Sequence, residues 1–317
     1  MTATFLPERS AAPSTRRRLK GPILLATDGQ PQSAGAFAAA VCISAGGTRR
    51  NGRTDKLPVR VVTICDSLPI MHPEMSAAVP TDFLGGRRTE MLANALAQVR
   101  YSVADTSNWR VDVLSGPPAP TIAVLAAELD ASLVVMGIGK HDLVDRVFGT
   151  ETALHLMQLS SVPVLAVPQN WIGIPRTVLI AVDFGPAGLR AAQTAMHIVA
   201  SGATVCFAHV SATNAMPDHG RRLAENYRNN LDAEFDRFVK AVGVPNDVTV
   251  TRTRLFGDSA GALLTWANKN RVDMIVTGTH GVSALARLLV SGVARKLARG
   301  AHCAVLVAPA ASALAPA

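Results

Sequence analysis

The 317-residue chain has few aromatic residues, only four cysteines and no long apolar run, and each shortage removes a class of protein. Its longest apolar stretch, residues 121 to 139, is interrupted by Glu128 and Asp130. It therefore falls short of the roughly 20 uninterrupted apolar residues that a bilayer span needs, and no membrane association is expected. Cys42, Cys65, Cys206 and Cys303 lie far apart and form no CxxC pair. That pattern argues against a disulfide framework and a thiolate metal site, and for a reducing, cytoplasmic setting. None of the eight histidines falls in an HExxH or HxH arrangement, so no resident metal is expected. A nucleophile elbow, a Ser/His/Asp arrangement and a Walker lysine are missing too, which speaks against efficient hydrolysis and against an enzyme. With aromatics at 4%, Ala, Val and Leu must fill most of the core.

What remains is an ordinary globular balance, 49% hydrophobic and 17% charged, in a chain long enough for two domains with a core each. The net charge of +8 divides unevenly. Arg9, Arg16, Arg17, Arg18 and Lys20 against Glu8 put half of it in the first 20 residues, which have no apolar periodicity and read as a disordered basic tail. The other cations are scattered without interleaved aromatics, so a solvated surface explains them and no nucleic-acid partner is expected. Ser14 to Lys20 loosely evoke a twin-arginine export signal, but the run that follows reaches Asp28 too soon for a hydrophobic region.

The chain repeats itself. Leu24-Leu-Ala-Thr-Asp28 recurs as Leu179-Ile-Ala-Val-Asp183, and Gly116 to Ile122 is echoed by Gly257 to Leu263. Leu133 to Gly137 recurs as Met274 to Gly278, and Val162 to Pro168 as Cys303 to Pro309. Four blocks in one order, displaced by 155 residues in the first case and 141 in the others, describe a duplicated domain. The expected organisation is a tail at 1–20, a domain at 21–168, a linker at 169–176, a second domain at 177–310 and a disordered tail at 311–317.

Within each copy, short apolar runs alternate with longer segments of helical period, which predicts an α/β fold around a parallel sheet. The second copy reads as strands at 177–183, 203–210, 247–255, 272–278 and 303–308, with helices at 186–201, 217–243, 258–270 and 291–300. Asp258 and Ser259 supply an N-cap signal, and Pro186 suits a first helical turn. The first copy reads as strands at 22–28, 59–65, 109–114, 133–137 and 163–168. Its two extra loops, 44–57 and 67–84, are rich in Gly, Pro and Arg and look mobile.

Ligands of an open parallel sheet settle beyond the carboxyl ends of the strands, where the crossover direction reverses. That principle selects Asp183 at the end of strand 1 and Gly278-Thr-His280-Gly281 at the end of strand 4, followed by Ser291-Gly292 opening a helix. Glycines let backbone N–H groups approach a ligand, and a helix start suits phosphate. In the first copy the corresponding candidates are Asp28, Gly137, Gly139, Gly149 and Thr150, with Lys140, His141 and Arg146 set against Asp142 and Asp145. Phosphate contact and a solvated charged loop account equally well for that second group.

Taken together, these residues, above all Val276 to Ala294 and the closing Val305 to Pro309, resemble a tandem universal stress protein from about residue 21 to 310. The resemblance implies two Rossmann-like domains of the adenine nucleotide alpha hydrolase-like type, each a five-stranded parallel sheet with helices on both faces. It also implies ATP or a related adenine nucleotide as ligand, with Mg²⁺ arriving with the nucleotide or not at all. Nucleotide-binding members show Gly, two residues, Gly, nine residues, Gly and then Ser or Thr. Gly278 and Gly281 match, whereas Ser291 and Gly292 invert the last pair. In the first copy Gly139 and Gly149-Thr150 satisfy the later half in one register, and Gly137 matches Gly278 in the other. His280 is expected as a hydrogen-bonded loop residue rather than a base. The resemblance further implies a pseudo-dimer of the two copies through strand 5, and leaves a homodimer of chains open. Three functions follow: a nucleotide-regulated binding protein, a nucleotide-free interaction module, and a slow ATPase.

Overall fold

A computed structural model describes residues 19–46, 49–50, 53–54, 56–65, 83–139, 149–211, 221–279 and 292–309. Most of the basic tail, the C-terminal tail from residue 310, most of loop 67–84, and Lys140, His141, Arg146, His280, Gly281 and Ser291 lie outside these residues. The chain forms two compact units, Leu19–Gly173 and Ile174 onward.

The first unit runs β1 (Ile23–Ala26), α1 (Ala34–Ala45), β2 (Val59–Cys65), α2 (Phe83–Ser102), β3 (Trp109–Ser115), α3 (Pro118–Glu128), β4 (Leu133–Ile138), α4 (Thr150–Leu159) and β5 (Val164–Pro168). All five strands are parallel and lie in the order β3-β2-β1-β4-β5. The second unit repeats this plan. It has β6 (Thr177–Ala181), α5 (Pro186–Met196), β7 (Thr204–Ser211), α6 (Arg221–Val242), β8 (Thr249–Phe256), α7 (Ser259–Lys269), β9 (Met274–Gly278), α8 (Gly292–Gly300) and β10 (Ala304–Ala308). Its order is β8-β7-β6-β9-β10, again all parallel.

The layering of the helices follows from handedness. A crossover between parallel strands is right-handed in nearly every case, so a chain moving one way across the sheet lays its helices on one face and, after reversing, on the other. Accordingly α1 packs with α2 and α3 with α4, and in the second unit α5 packs with α6 and α7 with α8. Covered on both faces, the strands read as continuous apolar runs rather than alternating ones. Leu133, Val134, Val135 and Met136 of β4 are fully buried, as are Ala304, Val305 and Leu306 of β10.

Strands and helices sit where the sequence periodicity places them, with shifted ends. β6 stops at Ala181 rather than residue 183: the Val182 N–H still bonds to Ala208, but Phe184 turns into the left-handed region at φ 59° and carries the chain out of the sheet. α5 stops at Met196, because the chain must turn at Gly202 (φ 72°) to start β7. Within loop 44–57, Arg49–Arg50 pairs antiparallel with Arg53–Thr54. Among the described residues no helix is long and apolar enough to cross a membrane.

Phe207 is fully buried on β7, with its ring 6.2 Å from that of Phe238. Phe207→Ala is expected to lower the stability of the second unit by about 3–5 kcal/mol, while Val124→Ala, at a half-exposed site on α3, changes it by less than about 0.5 kcal/mol. Urea unfolding of the two variants measures both, as a shifted midpoint with an unchanged slope in the first case and neither change in the second.

Candidate functional site

The crossover direction reverses between strands 1 and 4 of each unit, so the carboxyl ends of β1 and β4, and of β6 and β9, frame the crevice where open α/β sheets bind ligands. In the second unit Asp183 lies two residues past the end of β6. Its Oδ1 accepts the Gly185 N–H at 2.9 Å, which turns the carboxylate toward the start of α5. Phe184 between them holds a backbone conformation that costs an L-residue about 1–2 kcal/mol. Its ring packs edge-on against Phe235 and Phe238 of α6, with centroids 5.3 and 5.9 Å away, and lies 5.3 Å from His209 at the end of β7. The His209 Nδ1–H donates to the Val182 carbonyl at 2.9 Å, fixing the ring beside the crevice.

Gly278 ends β9 directly beneath α5. A Cβ on it would overlap the backbone of Ala187 and Gly188, with Ala187 C only 2.5 Å away. A Cβ on Gly188 would in turn stand 2.6 Å from Asp183 Oδ1. Asp183, Gly188 and Gly278 therefore form one tight stack, and the glycine that the sequence assigns to ligand approach is also required for helix approach. Gly292, the first residue of α8, is different: a Cβ there meets nothing within 4 Å. α8 is tied to α7 through Lys296, whose Nζ donates to Asp258 at 3.1 Å. The Gly261 N–H, and then Lys296, hold the Asp258 carboxyl below its ordinary range while it caps α7.

The first unit repeats the arrangement with other side chains. Strand register aligns Leu24 with Val134 and, at the repeated position, Leu179 with Ile275, so Gly137, three residues past Val134, occupies in β4 the place of Gly278 in β9. Its Cβ would lie 3.5 Å from Ser33 Cα, an ordinary contact with the residue that takes the place of Gly188. Asp28 accepts the Gln30 N–H at 3.0 Å, the same local turn as at Asp183. Thr27 Oγ1–H donates to Ser33 Oγ at 2.9 Å, and Ser33 Oγ–H to the Gln30 carbonyl at 2.6 Å, which seats α1 over the strand ends. Gly139 follows β4, Gly149 is the extended N-cap of α4, with no side chain of its own to cap it, and Thr150 is the first residue of that helix.

The crevices thus bring Asp183 together with Gly278 at neighbouring strand ends, and Asp28 with Gly137, while His280, Gly281 and Ser291 fall outside the described residues. Sequence reasoning missed Phe184, His209, Phe235 and Phe238. The signal was present in the comparison of copies, where Phe184 directly follows the repeated aspartate and Gly29 stands in its place. Among the described residues no group of three His, Cys, Asp or Glu side chains could hold a metal ion.

The universal stress protein family model matches residues 21–168 and again 175–309. The chain belongs to this family. A universal stress protein of Methanocaldococcus jannaschii is 28% identical over 144 residues, which is 44% of this chain and 85% of that protein. Among solved structures, a universal stress protein from Archaeoglobus fulgidus DSM 4304 covers 92% of this chain and 98% of its own, at a TM-score of 0.58 and 16% identity. A protein of unknown function from Pseudomonas aeruginosa PAO1 covers 92% of this chain and 94% of its own, at 0.57 and 16%. At such identities these two structures speak for the fold alone. The Rossmann-like α/β fold and the tandem universal stress protein organisation are therefore features of this chain.

The two glycines of the second crevice make opposite predictions. Gly278→Ala is expected to lower the unfolding free energy by about 1–3 kcal/mol through overpacking against the Ala187–Gly188 backbone. Gly292→Ala, on the open first turn of α8, is expected to leave it unchanged or raise it by up to about 1 kcal/mol. Denaturant unfolding separates them, and equal losses in both variants would contradict the packing role.

Proposed function

We propose that this universal stress protein binds an adenine nucleotide, ATP in the first instance, as a regulatory ligand whose occupancy alters how the protein meets its partners. In this reading Asp183, Gly278, His280, Gly281, Ser291 and Gly292 form the second-unit site, and Asp28, Gly137, Gly139, Gly149 and Thr150 its first-unit counterpart. The observation that carries it is the repeated strand order, with an aspartate two residues past strand 1 and a glycine at the carboxyl end of the neighbouring strand 4 in both units of a family member. The helices that follow strand 4 begin at Thr150 and Gly292, and a helix start offers unpaired N–H groups and about half a positive charge to a phosphate. A carboxylate already oriented by a backbone N–H, as Asp183 is by Gly185, suits the donors of a ribose or a base.

A second reading, a nucleotide-free interaction module, draws on the contact between Gly278 and the α5 backbone, which gives that glycine a purely architectural use.

Calorimetric titration of the full chain with Mg-ATP, alongside mass spectrometry of whatever small molecule copurifies, decides between the two. Saturable heat is expected, with a gain in unfolding free energy of about 2.7 kcal/mol at a hundredfold excess over Kd, because the ligand binds the folded state alone. Asp183→Asn is expected to weaken it. No heat and no stabilisation at millimolar ATP would leave the interaction module as the function, and sustained phosphate release lost in Asp183→Asn would establish a slow ATPase instead.

A further inference from the structure

The duplicated units differ most informatively one residue past the aspartate of strand 1, where Gly29 stands in the first unit and Phe184 in the second. Both lie in the left-handed region, at φ 75° and 59°, so the backbone turn is shared and only the side chain has changed. In the second unit the Phe184 ring fills the space between the start of α5 and α6, edge-on to Phe235 and Phe238. The helices α2 and α6 each end six residues before the third strand, across 103–108 and 243–248, so position 95 answers to 235 and position 98 to 238. Those positions hold Ala95 and Gln98. All three rings are absent from the first unit.

A polar tie is absent with them. In the second unit Gln193 Nε2 reaches from α5 to the Ala241 carbonyl on α6 at 3.0 Å, whereas its counterpart on α1 is Ala38, which cannot bridge. The helices close partway, since a Cβ on Gly29 would stand 3.2 Å from Asn94 Cβ. They leave a groove of about 760 Å³. One wall is Ala34, Ala38, Val41 and Cys42 of α1, and the other includes Ala97 and Tyr101 of α2. α1 carries no charged residue along its whole length, although a surface helix ordinarily places charges on its outer face. Among the described residues no carboxylate, ammonium or guanidinium lines the groove. At its polar end Gln98 Nε2 donates to the Gln30 carbonyl at 3.3 Å, and Gln98 Oε1 is buried without a hydrogen-bond partner.

We propose that the α1–α2 groove of the first unit is a binding site for a small, uncharged aromatic molecule. It is lined by Gly29 and Gln98, the counterparts of Phe184 and Phe238, so it opens beside two positions where the duplicate carries aromatic rings, which sets the shape of the ligand. The uncharged lining formed by the described residues sets its charge. The site is separate from the crevice at the strand ends and does not depend on nucleotide binding there.

N-phenyl-1-naphthylamine, an uncharged aromatic fluorophore with a single N–H, tests the proposal on the full-length protein. Its fluorescence is expected to rise and saturate at one probe per chain, and excess ATP is expected not to displace it. Ala38→Gln with Gln98→Phe, which puts the duplicate's larger side chains at two positions lining the groove, is expected to weaken binding by about tenfold or more, equivalent to 1.4 kcal/mol. Should that variant fail to fold, the wild-type protein still decides through Cys42 on the groove wall. Burial raises the Cys42 thiol above its ordinary value, so at about pH 9, where part of it is thiolate, saturating probe is expected to slow its alkylation by N-ethylmaleimide severalfold. Cys303, whose thiol burial pushes to about 11, is expected to keep its slow rate. Absence of saturable binding, displacement by ATP, unchanged affinity in the folded double variant, or an unprotected Cys42 would each overturn the proposal.

Discussion

The seating of the first helix of each unit on the ends of strands 1 and 4 constrains everything around it. In the second unit backbone meets backbone, with Gly278 under Ala187 and Gly188, and in the first unit Gly137 meets Ser33 at an ordinary distance. Because the interior is close-packed, a helix start held this near the sheet has little freedom to shift, and the turn between strand and helix is confined with it. The aspartate then bends back to a backbone N–H two residues on, Gln30 for Asp28 and Gly185 for Asp183. The next residue must adopt a positive φ in both units. A crevice, a carboxylate pointing along its edge and a following helix start are consequences of that single close approach.

Duplication shows which parts of the arrangement are fixed by the backbone and which are free. Strand order, register and the aspartate turn survive in both units, since each depends on main-chain geometry. The side chains over the turn do not: one unit closes the gap between its first two helices with Phe184, Phe235 and Phe238, and the other leaves it open beside an uncharged helix. A bulky residue at positive φ persists where contacts hold it there, and glycine serves in the same place without that support. The rings therefore belong to the packing of one copy and not to the fold as such.

Much of this was readable from residues alone, and the reason is local. Continuous apolar runs ending on aspartate or glycine, such as Leu179 to Asp183 and Met274 to Gly278, can be little else than strands buried on both faces. Asp258 ahead of α7 announced its helix by the chemistry of capping. Repetition of four blocks in one order defined the tandem plan, because two stretches with one pattern of burial fold alike. What those patterns could not convey was separation in space. That Gly278 touches Gly188 across 90 residues, that Gly137 rather than Gly139 is its counterpart, and that Phe184 reaches Phe235 depend on strand register and helix height. These are set by how whole layers pack, and no short window of sequence contains them.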